Sequence, residues 1–287
     1  METTSKKEIQ EHLRAYVAQF PSQNKAVDSL GGLVSGSYIS QILNGKFDAI
    51  SDEKFRAIGK KVGWVNTSWV FVDTTISTVI IEAFDSAKAK AVVNITPFLA
   101  RAGSGKSETL DYLKKNYKEI VYVECKTLSP KSFLTALLNS AGKKANGMNA
   151  EALFDVLVNV LTRMESPVMI IDEINKASDK ILLKIIDLYN ALKYKCPIVT
   201  LSTPEFEKRI TNGIEKEKVG YDEFFSRCSR KFYDLGMPTF VDVSKVCIAN
   251  GISDTKVISD IVKKSNFDLR SVEEHVRMYF LKQNKAA

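Results

Sequence analysis

Along residues 76–235 the apolar positions switch repeatedly between two spacings. Ile76, Ile80, Phe84 and Ala87 recur every three or four residues, the period of one helix face. VVNITPF (92–98) then reads as a strand. IVYVEC (120–125), PVMIID (167–172) and PIVTLST (197–203) are short runs dominated by apolar residues, as expected of strands covered on both faces. KFYDL (231–235) reads as a fifth strand. Between these runs the spacing predicts helices over 106–116, 130–141, 150–164 and 179–193. The third of these lines up Leu153, Leu157, Leu161 and Met164, and the fourth Ile181, Ile185, Leu188 and Leu192. Strands alternating with helices predict an α/β core with a parallel five-stranded sheet.

The flanks have a different texture. Residues 1–64 read as short helices broken by polar and Gly-rich turns, and 236–287 as helical throughout. Residues 65–75 form a β-branched connector, which places the core at 65–235. Within 23–64, a helix with Ala26 and Leu30 meets the turn Gly31-Gly32. A second helix with Ile39, Ile42 and Leu43 stops at Asn44-Gly45, and a third carries Phe55, Ile58 and Val62. This is helix-turn-helix grammar. Its second helix would present Ser37, Tyr38, Ser40, Gln41 and Asn44. Hydroxyls suit phosphates, and Gln and Asn suit adenine edges. A small protein-interaction module has the same grammar, so the residues leave both open.

Composition narrows the class. The chain has 287 residues, 45% hydrophobic and 26% charged, with 14 Gly and 7 Pro, which excludes collagen and wholesale disorder. No apolar run approaches the ~20 residues that span a bilayer, and METTSKKEIQ lacks a signal core, so a cytoplasmic protein is expected. Cys125, Cys196, Cys228 and Cys247 form no C-x-x-C pair and only 2 His are present, which disfavours a zinc cage or disulfide framework. The net charge of +7 is spread along the chain. A polyanion-binding surface would therefore have to be assembled by folding.

The densest chemistry lies in Ala100-Arg101-Ala102-Gly103-Ser104-Gly105-Lys106-Ser107, between a predicted strand and a predicted helix. This is the context of a P-loop, whose glycines let backbone N–H groups wrap phosphates. Ala102, Gly103, Ser104, Gly105, Lys106, Ser107 and Glu108 are the candidate nucleotide-binding residues. Lys106 would reach the β- and γ-phosphates and Ser107 would ligate Mg²⁺. Ala100 stands where the first glycine of the pattern is expected. VMIIDE (168–173) ends a buried strand in two acids, which is costly without a cation nearby. Asp172 would hold Mg²⁺ through water, and Glu173 would polarise the attacking water. Thr203 is placed to sense the γ-phosphate, although a Thr capping the next helix fits equally well. Arg227 or Arg230 could reach a neighbouring subunit's nucleotide, and Arg270 could fold back onto phosphates. For each the alternative is an ordinary surface cation. Together these residues predict a P-loop ATPase.

On these motifs the chain resembles the AAA+ ATPases of DNA transposition, the group of the phage Mu B protein. The resemblance covers a helix-turn-helix, a connector, an AAA+ core and a helical lid. It implies that GSGKS is Walker A, Asp172-Glu173 Walker B, Thr203 sensor 1, Arg227 or Arg230 the arginine finger, and Arg270 sensor 2. Ser202 departs from the usual glycine before the sensor. The resemblance further implies ATP and Mg²⁺ as cofactors. It implies a helical filament of head-to-tail subunits on duplex DNA, a transposase that the filament activates, and hydrolysis that disassembles it. Lys126, Lys131, Lys143 and Lys144 are candidates for a DNA-facing channel. A helicase loader or initiator would share the core, and a nucleotide-switched helix-turn-helix regulator is a third reading.

Overall fold

The computed structural model describes residues 3–48, 50–64, 69–89, 94–126, 128–145 and 147–285. Positions 65–68 of the expected connector and 92–93 of the expected first strand lie outside them. The described chain divides into two compact units. One gathers the residues up to Val70 with Asn250–Ile252 and those from Glu273 on, and the other holds Phe71–Ala249 and Ser253–Val272.

The first unit is helical. Its main helices are α1 (Thr3–Val17), α2 (Gln23–Ser29), α3 (Gly36–Leu43) and α4 (Asp52–Lys61). The last three start at serines, Ser22, Ser35 and Ser51, whose hydroxyls accept the backbone N–H three residues on. Gly31 and Gly32, with φ of 66° and 75°, carry the chain from α2 towards α3 through left-handed backbone that favours glycine. Ile9 and Leu13 of α1 pack with Leu30, Ile39, Ile42, Phe55, Ile58 and Trp64 in one core. Thus α1, for which the sequence shows no separate pattern, packs against both α3 and α4.

The second unit is an α/β layer structure. It opens with α5 (Thr75–Lys88), whose first turn is a Thr74–Ser77 capping box. There follow β1 (Thr96–Leu99), α6 (Lys106–Asn116), β2 (Ile120–Glu124), α7 (Pro130–Ser140), α8 (Ala150–Arg163) and β3 (Val168–Asp172). After a 3-10 turn at Ile174–Lys176 come α9 (Asp179–Leu192), β4 (Ile198–Ser202), α10 (Glu205–Glu215), α11 (Tyr221–Arg227) and β5 (Tyr233–Asp234). Three helices end the chain: α12 (Phe240–Ala249), α13 (Thr255–Ser265) and α14 (Leu269–Lys285), the last running on into the first unit.

All five strands are parallel, in the order β2-β3-β4-β1-β5. β3 and β4 are buried at every residue. Along β3, Val168 and Ile170 face one apolar cluster with Phe84, Leu110 and Leu201, while Met169 and Ile171 face the other with Leu137, Leu157 and Ile185. The period of two explains why this strand reads as a continuous apolar run. Among the described residues the first strand runs from Thr96, after Asn94 and Ile95, and the fifth shrinks to two exposed residues at the sheet edge. Helices α10 and α11, in a stretch given no element from sequence, fill the connection between β4 and β5. All four cysteines are buried and free. Among the described residues no helix is long and apolar enough to cross a membrane.

Candidate functional site

The strand order places β4 between β1 and β3, so the segments leaving these three strands meet at one edge of the sheet. The segment after β1 is the glycine loop. Gly103 (φ 72°) and Gly105 (φ 93°) both take left-handed backbone, and Gly105 caps α6 without any side-chain bond. The first-turn amides of α6 therefore keep their capacity to bind an anion. Ala100 is fully buried, its N–H donates to Ser202 O at 2.9 Å, and it is not left-handed. No glycine is needed there, which accounts for the departure from the usual pattern.

Lys106 is buried at the base of the loop. Its Nζ donates to the carbonyls of Ala100 (2.6 Å) and Arg101 (2.8 Å). Burial pushes its ammonium below the ordinary lysine range, opposed by the charges of Asp172 and Glu173 and reinforced by the nearby Arg270. Ser104 Oγ is buried with no hydrogen-bond partner. An orphaned hydroxyl in a ring of left-handed glycines is what a phosphate oxygen would satisfy. Ala102, Ser107 and Glu108 are exposed at the same rim.

Asp172 ends β3 beside Glu124 of β2, its partner in register. Its Oδ1 accepts the Glu173 N–H at 2.8 Å, and its Oδ2 faces the Tyr122 hydroxyl at 3.4 Å. Burial raises its carboxyl above the ordinary range, with the Glu173 N–H acting the other way. Burial, together with the Asp172 charge, likewise raises the Tyr122 hydroxyl. A cleft of about 260 Å³ lies between Ser107, Leu110, Lys114, Tyr122, Asp172 and Glu173. A hydroxyl and carboxylates converging on one cleft are hard oxygen donors, the set that suits Mg²⁺. Glu173 itself is left-handed (φ 54°, ψ 35°), an uncommon state for a residue with a Cβ.

Thr203 follows β4, between the loop and Asp172. Its hydroxyl bonds to the Glu205 carboxylate, which this bond holds below its ordinary range. The lid side is closed by the start of α14. Leu269 N–H donates to Gly103 O at 2.7 Å, and the Asp268 side chain lies so close that a Cβ on Gly103 would stand 2.1 Å from its carboxyl carbon. Arg270 follows directly and is exposed.

Loop, Asp172, Glu173, Thr203 and Arg270 thus gather at one place. Arg227 and Arg230 do not. The Arg227 carbonyl accepts the N–H of Ile95, which precedes β1 at the end of the strand opposite the loop. Its guanidinium is held by Asn190 and Glu223, and Arg230 pairs with both oxygens of Asp222. Lys126 pairs with Glu124 at 3.0 Å, while Lys131, Lys143 and Lys144 are exposed. On α3, Ser37 is exposed and Tyr38 lies under the Lys54 ammonium, 4.4 Å from the ring centre. Gln41 is half-buried with its amide oxygen turned inward and unpartnered, and Ser40 is taken by the Gln23 amide. Sequence reasoning missed Tyr122, Asp268 and Lys176. Of these only Tyr122 left a signal, as a polar group in an apolar strand.

Residues 94–210 match the family model described as AAA domain. The matched stretch holds the glycine loop, Asp172, Glu173 and Thr203. Among solved structures, a DNA replication initiation factor is similar at a TM-score of 0.50 and 15% identity, over 75% of this chain and 64% of that one. NtrX from Brucella abortus, in complex with ATP, is similar at a TM-score of 0.50 and 11% identity, over 88% of this chain and 60% of that one. At such identities the likeness is one of fold, and the chain spans under two thirds of either protein. No curated protein matches. The AAA domain, its parallel five-stranded sheet and its helical flanks agree with the architecture expected from sequence.

Proposed function

We propose that this protein is an ATPase that works on DNA, in which nucleotide joins one subunit to the next. The observation that carries the reading is the meeting of the glycine loop with Asp172 and Glu173 around one polar cleft. The amides of Ala102–Glu108 and Lys106 bind the phosphates, and Arg270 adds a second cation from the lid. Ser107 and Asp172 would hold Mg²⁺, which when bound would supply positive charge to the phosphate oxygens. Glu173 takes the proton of the attacking water, and Thr203 orients that water or the γ-phosphate. Lys106 donates to two backbone carbonyls and can exchange them for phosphate oxygens without crossing the loop.

Residues 1–64 serve as the helix-turn-helix module, 65–235 as the core and 236–287 as the lid. Arg227 and Arg230 sit away from their own loop, which supports a role toward a neighbour's nucleotide. A head-to-tail contact that does not close generates a helix. The finer reading is a filament on duplex DNA that marks a transposition target and activates a transposase, with hydrolysis dismantling it. Lys126, Lys131, Lys143 and Lys144, with Ser37, Tyr38 and Gln41 of α3, are the proposed DNA contacts. Electron microscopy with random duplex DNA and ATP, ADP or no nucleotide tests this. Continuous filaments with ATP alone are expected. Discrete dimers would favour the operator-binding regulator, and action on single strands or forks the loader or initiator.

A further inference from the structure

The connection from β4 to β5 holds a second cleft, of about 300 Å³, which shares no lining residue with the one at Asp172. Its floor is Tyr221, the first residue of α11, whose ring is buried against α10 at Gly213. A Cβ on Gly213 would stand 2.0 Å from that ring, so the close approach of the two helices requires glycine here. The turn between the helices is held by its own backbone. Lys218 N–H donates to Gly213 O at 2.9 Å and Tyr221 N–H to Lys218 O at 3.2 Å. Lys216 and Lys218, both exposed, therefore line the cleft from a fixed stretch of chain.

The third cation is Arg209 of α10. Its guanidinium donates to the Tyr221 hydroxyl (3.2 Å), to the carbonyls of Asn175 (3.3 Å) and Ala177 (2.6 Å), and to Asp179 Oδ1 (2.7 Å). A guanidinium has five N–H groups, so at least one is left over. Asp179 is the one carboxylate in the lining, and it is already engaged. Tyr221 also donates to its Oδ1 at 2.7 Å, and Lys218 Nζ stands 3.8 Å from its Oδ2. The Tyr221 bond, ahead of Arg209, holds this carboxyl below its usual range. Glu217 lies outside the lining, and Asp222 and Glu223 are paired with Arg230 and Arg227. Three cations thus face one satisfied carboxylate.

A surplus of positive charge with spare N–H donors suits phosphate oxygens. It does not suit a base. Tyr221 is 1% exposed, so the cleft offers no ring face for stacking, the device by which single strands are held. We propose that Arg209, Lys216 and Lys218, with the Asn212 amide beside them, form a binding site for a backbone phosphate of duplex DNA, separate from the nucleotide site. That the phosphate belongs to DNA rests on the reading of the protein given above. A contact of this kind is blind to sequence and weakens with salt.

The test is binding of a labelled random-sequence duplex by the full-length protein, followed by fluorescence anisotropy over a range of salt with a non-hydrolysable ATP analogue present. Lys216→Gln/Lys218→Gln should reduce the magnitude of the slope of log affinity against log salt by about 0.9, the loss of one phosphate contact. Lys216→Arg/Lys218→Arg should keep the wild-type slope. Lys193→Gln/Lys195→Gln removes the same charge from the exposed stretch before β4 and should keep it as well. Since all four lysines are exposed, urea unfolding midpoints should match wild type. A wild-type slope in Lys216→Gln/Lys218→Gln overturns the site. An equal fall in Lys193→Gln/Lys195→Gln also overturns it, because net charge alone would then account for the loss. A wild type that binds no duplex in any nucleotide state would overturn the DNA reading itself, and the ligand of this cleft with it.

Discussion

Lys106 combines two facts that together decide its chemistry: it is buried, and its ammonium donates to two carbonyls of its own loop. A buried ammonium held by neutral carbonyls gains when a triphosphate replaces them. Lys106→Ala should therefore weaken ATP binding by about tenfold or more, ~1.4 kcal/mol, in a titration with a fluorescent nucleotide. Equal affinity in the variant would remove Lys106 from the phosphate site. Glu173→Gln should behave oppositely, keeping nucleotide affinity while kcat drops by about 10²-fold or more, as expected on losing a general base. Single-turnover kinetics separates the two. Lys106, Asp172 and Glu173 were legible because a glycine loop and an acid-ended apolar strand leave patterns in sequence. The ion pair of Lys176 with Glu173 was not, because it depends on Glu173 being left-handed, a state that no residue type at that position announces.

The helices show where local pattern suffices. In α4 a Cβ placed on Gly59 would stand 2.7 Å from the Trp64 ring and 3.1 Å from Ile9. Gly59 is therefore the point at which Trp64, bonded to Glu8 through its indole N–H, closes the unit over α1. Gly59→Ala should improve helix propensity yet destabilise the fold by about 1–3 kcal/mol through overpacking, measurable by urea unfolding. A gain in stability would show that Trp64 can retreat without cost. Strands β3 and β4 were legible since each residue is buried, and α7 to α9 since each repeats buried apolar residues at three- and four-residue spacing, while α6 was placed by the glycine loop before it. β5 was placed within KFYDL but drawn too long, because an exposed two-residue edge strand has no burial signature to bound it. In α10, Phe206 and Ile210 are the only large side chains fully buried, and α11 has seven residues, so neither face repeats enough to be read. In α1, Ile9 and Leu13 are fully buried with Tyr16 and Val17 packed at the edge of the same core, and their partners lie far along the chain.

At the scale of the molecule, the parallel order β2-β3-β4-β1-β5 is what gathers residues from 103 to 270 at one sheet edge. The α/β class was visible from alternation alone, while the strand order was not, because order is set by crossovers rather than by any local spacing. The +7 charge belongs to the same scale, as an even excess that becomes a surface only once the chain is folded. The four sequestered thiols give this architecture a built-in reporter. Burial pushes Cys125 and Cys196 up to about 12 and Cys247 up to about 11, and raises Cys228 as well. Thiolate, the reactive form, is thus scarce on every one of them in the closed fold. A chromogenic disulfide reagent should consequently wait for the protein to breathe, and its reaction rate at each sulfur would time the opening of the surrounding layer, with no dye or tag attached.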